Sequence, residues 1–163
     1  MTEITRLFEF PYFQLEKYNS ISDAFVMKQK GEWIKTSTEE YLAKANAISR
    51  ALLRLGIQKN DKIAVISSNN RTEWNIIDIG ILQIGAQNIP IYPTISEIDY
   101  AYIINHSEAI YCFVSDEEIL RKINLIRDQT PNLREVYSFS RRWFRIDLLI
   151  CHYPNANILY LLQ

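Results

Sequence analysis

The 163-residue chain is long enough for one domain with a hydrophobic core and too short for two comfortable ones. Hydrophobic residues make up 48% of it and charged residues 23%, and the formal net charge of -1 gives no electrostatic reason to expect binding to nucleic acid or to an anionic membrane. No apolar run approaches the roughly 18 residues of a membrane-spanning helix, and two cysteines are too few for a disulfide framework. We therefore expect a cytoplasmic protein without a transmembrane segment.

The first 20 residues are rich in aromatic side chains and contain Pro11. This composition predicts an extended arm that packs on its own domain or on a neighbour. Residues 22–30 are expected to form a short helix, and residues 33–35 a short strand after Gly31.

A strong helix is predicted next. Ser37 with Glu40, or Thr36 with Glu39, can form a capping box at its start, and Gly56 stands at the expected C-terminal stop. Between them, apolar residues recur at helical spacing on one stripe: Tyr41, Ala45, Ile48, Leu52 and Leu55.

A strand, a helix and a second strand are predicted in the middle of the chain. Residues 63–66 form a short unbroken apolar run, which is typical of a strand buried on both faces of a parallel sheet. Asn70 is the expected N-cap of the helix, with Glu73 completing a capping box, and residues 89–92 begin the next strand. The helix is apolar nearly all round, so we expect it to be deeply buried. Its main stripe is Trp74, Ile77, Ile81 and Ile84.

The second half of the chain repeats this alternation. Ser96 with Asp99 should open one helix, and Ser115 with Glu118 another. The apolar residues expected on the first helix are Ile98, Tyr102 and Ile103, and those expected on the second are Ile119, Ile123 and Ile126. Further strands are expected at 110–114 and 135–139. Strands alternating with capped helices predict an α/β fold in three layers, with a mainly parallel sheet and helices on both faces.

Residues 141–163 differ from the rest of the chain. They contain no Gly, Glu, Lys, Thr or Ser, and three arginines against Asp147 give them a charge of +2. We interpret this segment either as sequence foreign to the domain, such as an out-of-frame tail, or as a natural apolar end that closes one face of the sheet. The expected organisation is therefore an arm at 1–20, an α/β domain at 21–140 and an atypical tail at 141–163.

The order of several short blocks resembles the start of the AMP-forming acyl-CoA synthetases, especially the long-chain fatty acid–CoA ligases of the adenylate-forming superfamily. The resemblance covers roughly residues 20–140. The blocks are Gly56-Ile57, the stretch Asp-Lys-Ile-Ala-Val-Ile-Ser at 61–67, then Asn69, Glu73 and Trp74, then Gly85-Ala86, the stretch Ile-Pro-Ile-Tyr-Pro-Thr at 89–94, and His106-Ser107-Glu108.

The resemblance implies an ATP-dependent enzyme that converts a long-chain fatty acid, through an acyl-adenylate, to its coenzyme A thioester. ATP, Mg and coenzyme A are implied for such an enzyme as a whole. The family's phosphate loop, Gly-Leu-Thr-Glu-like segment, ribose-binding Asp and catalytic Lys are all missing from this sequence. Gly80 and Gly85 have Walker A spacing, but Ala86-Gln87 follows them instead of Lys-Ser/Thr, so we reject that match. We expect the chain alone to be inactive, with no catalytic residues, metal site or bound cofactor.

The candidate site residues are Asn69, Tyr92 and Thr94, which follow two strands at the end where open parallel sheets bind ligands. We assign them a substrate-binding role only in a full-length enzyme, beside the simpler interpretation of Asn69 as a turn residue and Tyr92 as a packing residue. His106 is more readily explained as a helix-terminal residue than as a base, and the placement of Asp78 on an apolar helix has no explanation in the sequence.

Two other classes of function remain open. One is a stand-alone flavodoxin-like binding or regulatory domain, which would need an acidic pocket or a phosphate loop that the sequence does not display. The other is a structural dimerisation module that uses the aromatic arm. As a fragment, the chain is expected to form a homo-oligomer, because apolar surface with no assigned partner favours association.

Overall fold

The computed structural model describes residues 4–139, so the predicted tail at 141–163 lies outside the described residues. A 3-10 helix at Leu7–Glu9 leads into the first α-helix. The elements are then α1 (Phe10–Tyr18), β1 (Phe25–Gln29), β2 (Glu32–Thr36), α2 (Thr38–Arg54), β3 (Lys62–Ile66), α3 (Thr72–Gln83), β4 (Gln87–Ile91), α4 (Glu97–Ser107), β5 (Tyr111–Val114), α5 (Glu117–Leu125) and β6 (Glu135–Ser138).

Within residues 4–139, four strands form a parallel sheet in the order β4-β3-β5-β6. Side chains of β3 alternate between its faces, so Ile63 and Val65 enter one hydrophobic cluster and Ala64 and Ile66 enter the other. The first cluster is filled by α2 and α3, and the second by α4 and α5. The predicted three-layer α/β fold with a parallel sheet and helices on both faces is confirmed.

The strand order places a topological switch point at the centre of the sheet. The chain leaves β3 for β4 on one side, then returns across β3 to reach β5 on the other side. The helix α3 joins the first pair over one face, while α4 and α5 make the later connections over the other face. Open sheets bind ligands at such a point, in the crevice outside the carboxyl ends of the strands.

The helices α2 and α3 pack closely at Gly80. A Cβ added there would lie 2.6 Å from Ile48 Cγ2 and 3.1 Å from the Ala45 carbonyl oxygen. Gly80 therefore sits inside a helix because a side chain would collide with α2, and it plays no part in a phosphate loop. Gly85 has a φ of +75° just after α3, a conformation that favours glycine.

The first 30 residues differ from the predictions. The expected extended arm is instead a helix, α1, held against its own domain: the Tyr12 hydroxyl donates to Asn46 Oδ1 at 2.7 Å and accepts from Gln83 Nε2 at 2.8 Å. The helix expected at 22–30 is wrong, because residues 25–29 form the strand β1. It pairs antiparallel with β2 through a turn in which Lys30 and Gly31 have positive φ.

Two helix starts are confirmed and two are shifted. Ser37 caps α2, and Ser96 forms a capping box with Asp99 on α4. The expected cap at Asn70 is wrong, because Arg71 is the N-cap of α3 and makes no side-chain cap bond. The expected cap at Ser115 is also wrong, because Asp116 occupies that position on α5.

The predicted apolar faces hold for α2 and α5 but only partly for α3 and α4. Ile77 and Ile81 of α3 are buried, as expected, whereas Trp74 is only partly buried. On α4, Ile98 and Tyr102 are 75% and 65% exposed. The residues of α4 that enter the core are Tyr100, Ala101 and Ile104, with Ile103 packed at the edge of the cluster.

Candidate functional site

The loops that follow β3 and β5 meet at the switch point. The backbone N–H of Ser68 donates to Ser115 Oγ at 2.9 Å, and the two hydroxyl oxygens lie 3.2 Å apart. The Ser115 hydroxyl in turn donates to Asp116 Oδ2 at 2.6 Å. The two loops are thus joined by short polar contacts across the carboxyl ends of neighbouring strands.

Asp116 combines this contact with its role as N-cap of α5. Its Oδ1 accepts from the backbone N–H groups of Glu118 at 3.1 Å and Ile119 at 3.0 Å. Partial burial works to raise the pKa of Asp116, but the hydrogen bonds from Ser115, from these two N–H groups and from Ser68 outweigh it and hold the pKa below its usual value. The carboxylate is therefore ionised at neutral pH.

Arg71 connects three loops at the same edge of the sheet. Its guanidinium donates to both carboxylate oxygens of Glu73, at 2.7 and 3.2 Å, and to the Ser115 carbonyl oxygen at 3.1 Å. It also lies 5.6 Å from the ring centroid of Phe139, just after β6. Because the side chain of Glu73 is only 7% exposed, this bidentate pair compensates a buried charge.

The predicted site residues lie at this edge but outside the cluster of Ser68, Arg71, Glu73, Ser115 and Asp116, which we call the switch-point cluster. Asn69 is exposed in the loop after β3, where its Oδ1 accepts from the Ser68 hydroxyl at 2.7 Å. Tyr92 is 80% exposed and Thr94 is also exposed, both just after β4.

Sequence reasoning missed the switch-point cluster. The sequence did contain an indication of this polar cluster, because serine or aspartate residues directly follow two of the predicted buried strands. That signal carries information only when the two strands are known to be neighbours, which the sequence did not establish.

Asp78 lies on α3, and its Oδ1 accepts from Asn88 Nδ2 on β4 at 2.7 Å. Partial burial raises the pKa of Asp78, although the bond from Asn88 opposes the shift. Burial, together with the charge of Asp78, also raises the pKa of Tyr41. Asn88 Oδ1 is itself buried without a hydrogen-bond partner.

The histidine and the cysteine in residues 4–139, His106 and Cys112, occupy packed positions. His106 lies in the last turn of α4, near the opposite edge of the sheet, with its ring stacked on Tyr102 at 5.5 Å between centroids. Cys112 is fully buried, and burial raises the pKa of its thiol to about 12. Among residues 4–139, no group of three His, Cys, Asp or Glu side chains is placed to hold a metal ion.

A cavity of about 410 Å³ lies at the amino-terminal edge of the sheet, away from the switch point. It is lined by Asp61, Lys62, Glu108, Ile110, Pro131, Asn132 and Arg134, and Lys62 is paired with Glu108 at 3.2 Å. The mixed and partly paired charges give this cavity no clear preference for an anion or a cation. Within the described part of the chain, no helix is both long and apolar enough to cross a membrane.

Solved structures share this three-layer fold. The anthranilate CoA ligase AuaEII, solved in complex with anthranoyl-AMP, superposes with a TM-score of 0.74 at 18% identity, over 94% of this chain and 28% of that one. The N-terminal domain of FACL13 from Mycobacterium tuberculosis superposes with a TM-score of 0.59 at 20% identity, over 64% of this chain and 27% of that one. At these identities the likeness concerns the fold, which is that of adenylate-forming enzymes.

The chain belongs to the AMP-binding enzyme family, whose model matches residues 16–145. Among its relatives is the long-chain-fatty-acid–CoA ligase FadD15 of Mycobacterium bovis, which is 31% identical over 106 residues. That alignment covers 65% of this chain but 18% of the relative, so the chain spans less than a fifth of the length of this enzyme.

Proposed function

We propose that this chain is the N-terminal subdomain of an ATP-dependent, AMP-forming long-chain fatty acid–CoA ligase that acts in the cytoplasm. The similarity to a long-chain-fatty-acid–CoA ligase at 31% identity carries the proposal. The fold shared with a solved N-terminal domain supports the assignment to the first part of such an enzyme. The substrates of the whole enzyme are then a fatty acid, ATP and coenzyme A.

The carboxyl edge of the sheet is the surface that this subdomain offers to the substrates. Asn69, Tyr92 and Thr94 are exposed there, beside the switch-point cluster. Their side chains supply an amide, a phenol and a hydroxyl, which are groups suited to orienting a ligand. In this proposal they contribute to binding in the full-length enzyme and take no part in bond making.

The chain on its own does not catalyse adenylation. Phosphoryl and adenylyl transfer depend on groups that neutralise the charge of the transferring phosphates. The Gly-rich phosphate loop and the Lys that do this in the family have no counterpart in this sequence. In residues 4–139, the guanidinium group of Arg71 at the strand ends is already paired with Glu73.

The test is exchange of radiolabelled pyrophosphate into ATP in the presence of palmitate, with a full-length long-chain fatty acid–CoA ligase as positive control. The purified chain should give the background rate. A rate that scales with this chain and survives a second purification would contradict the proposed inactivity. Restoration of activity when the chain replaces the matching segment of a full-length relative would support the subdomain assignment.

A further inference from the structure

Asn88 on β4 carries a buried acceptor that no side chain or backbone group in residues 4–139 satisfies. Its Nδ2 donates to Asp78 Oδ1 on α3 at 2.7 Å, whereas its Oδ1 is buried without a hydrogen-bond partner among these residues. Buried polar atoms are almost always hydrogen-bonded, because an unsatisfied acceptor has lost its contact with water and gained nothing in return. A donor is therefore expected beside Asn88 Oδ1.

The carboxyl group of Asp78 can supply that donor once it is protonated. Asp78 accepts from Asn88 through Oδ1, so Oδ2 is the atom that takes the proton. A carboxylic acid and a primary amide each present one donor and one acceptor, and they can pair through two hydrogen bonds side by side. Asp78 Oδ2–H then donates to Asn88 Oδ1, while Asn88 Nδ2 continues to donate to Asp78 Oδ1. An ionised Asp78 can only accept, and it leaves Asn88 Oδ1 unsatisfied.

The surroundings of Asp78 favour its protonated form. The side chain is partly buried and burial raises its pKa, while the bond from Asn88 is the one opposing cause. Tyr41 of α2 interacts electrostatically with the same carboxyl group, but its hydroxyl donates to the Asn75 carbonyl oxygen at 3.3 Å. The strand β4 contains no titratable residue.

The other elements that contact α3 carry charged side chains, and none of these shifts the pKa of Asp78. Lys44 of α2 pairs with Glu40 at 2.6 Å. Glu9 of the 3-10 helix accepts from two backbone N–H groups that precede it, and Lys28 of β1 lies against the Trp33 ring. The remaining charged side chains of α2 are Glu39, Arg50 and Arg54. A pH effect at this site therefore belongs to Asp78 itself.

We propose that Asp78 and Asn88 form a pH-sensitive latch between α3 and β4, which closes when Asp78 takes up a proton from solvent and donates a hydrogen bond to Asn88 Oδ1. The strand β4 ends the sheet of residues 4–139 on its side and leads directly into Tyr92 and Thr94. Closing the latch in mild acid holds this strand more firmly to α3, and ionisation of Asp78 weakens the attachment. The latch goes beyond the proposed function and does not rest on it.

The first experiment is an NMR titration of the whole chain, labelled uniformly with carbon-13, that follows the side-chain carbonyl carbons of Asp78 and Asn88. An ordinary aspartate titrates at about pH 4, and Asp78 Cγ should titrate about one pH unit higher or more. Asn88 Cγ should shift with the same midpoint, because its oxygen gains a hydrogen bond when Asp78 gains its proton.

Two variants separate the latch from a general effect of pH. Asp78→Asn keeps the latch closed at every pH, because its amide offers an N–H to Asn88 Oδ1 and its carbonyl oxygen still accepts from Asn88 Nδ2. In this variant Asn88 Cγ should not titrate. Asp128→Asn is the matched control, since Asp128 is exposed in the 3-10 turn after α5. Asp78 and Asn88 should titrate in the control as in the unaltered chain.

Hydrogen exchange of the β4 amides measures whether the latch holds the strand. Below the midpoint measured by NMR, β4 should exchange at the same rate in the unaltered chain and in Asp78→Asn. Above the midpoint, β4 of the unaltered chain should exchange severalfold faster than β4 of the variant. Because the two proteins are compared at the same pH, the intrinsic pH dependence of amide exchange cancels.

The proposal is supported by a common, raised midpoint for Asp78 and Asn88 that Asp128→Asn preserves, together with the expected exchange of β4. It is overturned if Asp78 titrates like an ordinary aspartate, or if Asn88 Cγ does not follow Asp78, as when a buried water satisfies Asn88 Oδ1. Equal exchange of β4 in the unaltered chain and in Asp78→Asn above the midpoint would also overturn it. If Asp78→Asn does not fold, the titration of the unaltered chain still decides the proposal.

Discussion

At the scale of single residues, charged side chains at the strand ends connect neighbouring loops through hydrogen bonds and ion pairs. Arg71 spans from α3 to the loop after β5 and the end of β6, through contacts with Glu73, Ser115 and Phe139. A buried ion pair adds little when compared with well-packed apolar residues, but the loss of one partner leaves a buried charge uncompensated. The effect of a substitution therefore depends on whether one or both partners are changed.

We expect Arg71→Met to lower the free energy of unfolding by about 3–5 kcal/mol, because Glu73 then remains buried without its partner. The double substitution R71M/E73M should recover most of that loss. Urea unfolding of the two variants and the parent measures both values. Equal losses in the single and double variants would show that the packing of Arg71, and not the charge of Glu73, is what matters.

Two aspartates should affect stability in opposite directions as pH changes. The folded pKa of Asp116 is lowered, so its stabilisation is present above its unfolded pKa and is lost as pH falls. The folded pKa of Asp78 is raised, so its protonated form favours folding. That stabilisation is lost as pH rises from the unfolded pKa through the folded pKa.

At neutral pH we therefore expect Asp116→Asn to destabilise the fold and Asp78→Asn to stabilise it. Both differences should shrink in acid, below about pH 4, where an unperturbed aspartate is protonated. Unfolding by urea at several pH values tests the two signs in one series. A stabilising Asp116→Asn, or an Asp78→Asn effect independent of pH, would contradict the assigned environments.

At the scale of elements, the contact of α2 with α3 depends on the missing side chain of Gly80. An alanine there is favoured by helix propensity by about 1 kcal/mol. Against this, its Cβ would approach Ile48 Cγ2 at 2.6 Å, and overpacking of this kind costs about 1–3 kcal/mol. The steric effect is the larger because the Ala45 backbone also lies within 3.1 Å.

Gly80→Ala should then lower the free energy of unfolding by up to about 2 kcal/mol, the overpacking cost of about 1–3 kcal/mol less the propensity gain of about 1 kcal/mol. Ile48→Ala alone should lower it by about 2–5 kcal/mol through the cavity it leaves. The double variant G80A/I48A should lose less than the sum, because the new methyl group occupies part of that cavity. Strictly additive losses in the free energy of unfolding would mean that the new methyl group does not contact residue 48, because the two helices move apart.

At the scale of the whole molecule, the parallel sheet formed by residues 4–139 ends in β4 on one side and in β6 on the other. Pro90 on β4 lacks a backbone donor, which weakens that edge as a template for further pairing. Exposed apolar side chains are also spread over α1, α4 and the hairpin, for example Phe10, Ile98 and Trp33. Such surface is commonly covered in a larger assembly.

We expect the isolated chain to form a dimer or a higher oligomer at micromolar concentration, since exposed apolar surface favours association. Light scattering measures its mass directly, alongside a variant truncated after Ser140. If the oligomer forms because residues 141–163 are exchanged between chains, the truncated variant should be monomeric. Exchange of α1 would have to break the bonds of Tyr12 to Asn46 and Gln83. A monomeric intact chain would favour a tail that closes its own domain.

Local pattern in the sequence was enough to predict the class of fold. Unbroken apolar runs such as residues 63–66, and stripes such as the one that includes Ile48 and Leu52, record burial directly, because a strand or helix repeats its geometry every few residues. The caps at Ser37 and Ser96 were also predictable, since a hydroxyl bonds an N–H only three residues away. The family resemblance rested on such local blocks in order.

Only the tertiary structure decided which elements are neighbours. The meeting of Ser68 with Ser115, and of Arg71 with Phe139, follows from β5 lying beside β3 and β6 beside β5. The strand at 25–29, predicted as a helix, depends on pairing with β2, and the exposure of Ile98 depends on which side of α4 meets the sheet. These outcomes are set by non-local packing, because periodicity specifies a face but not the partner that covers it.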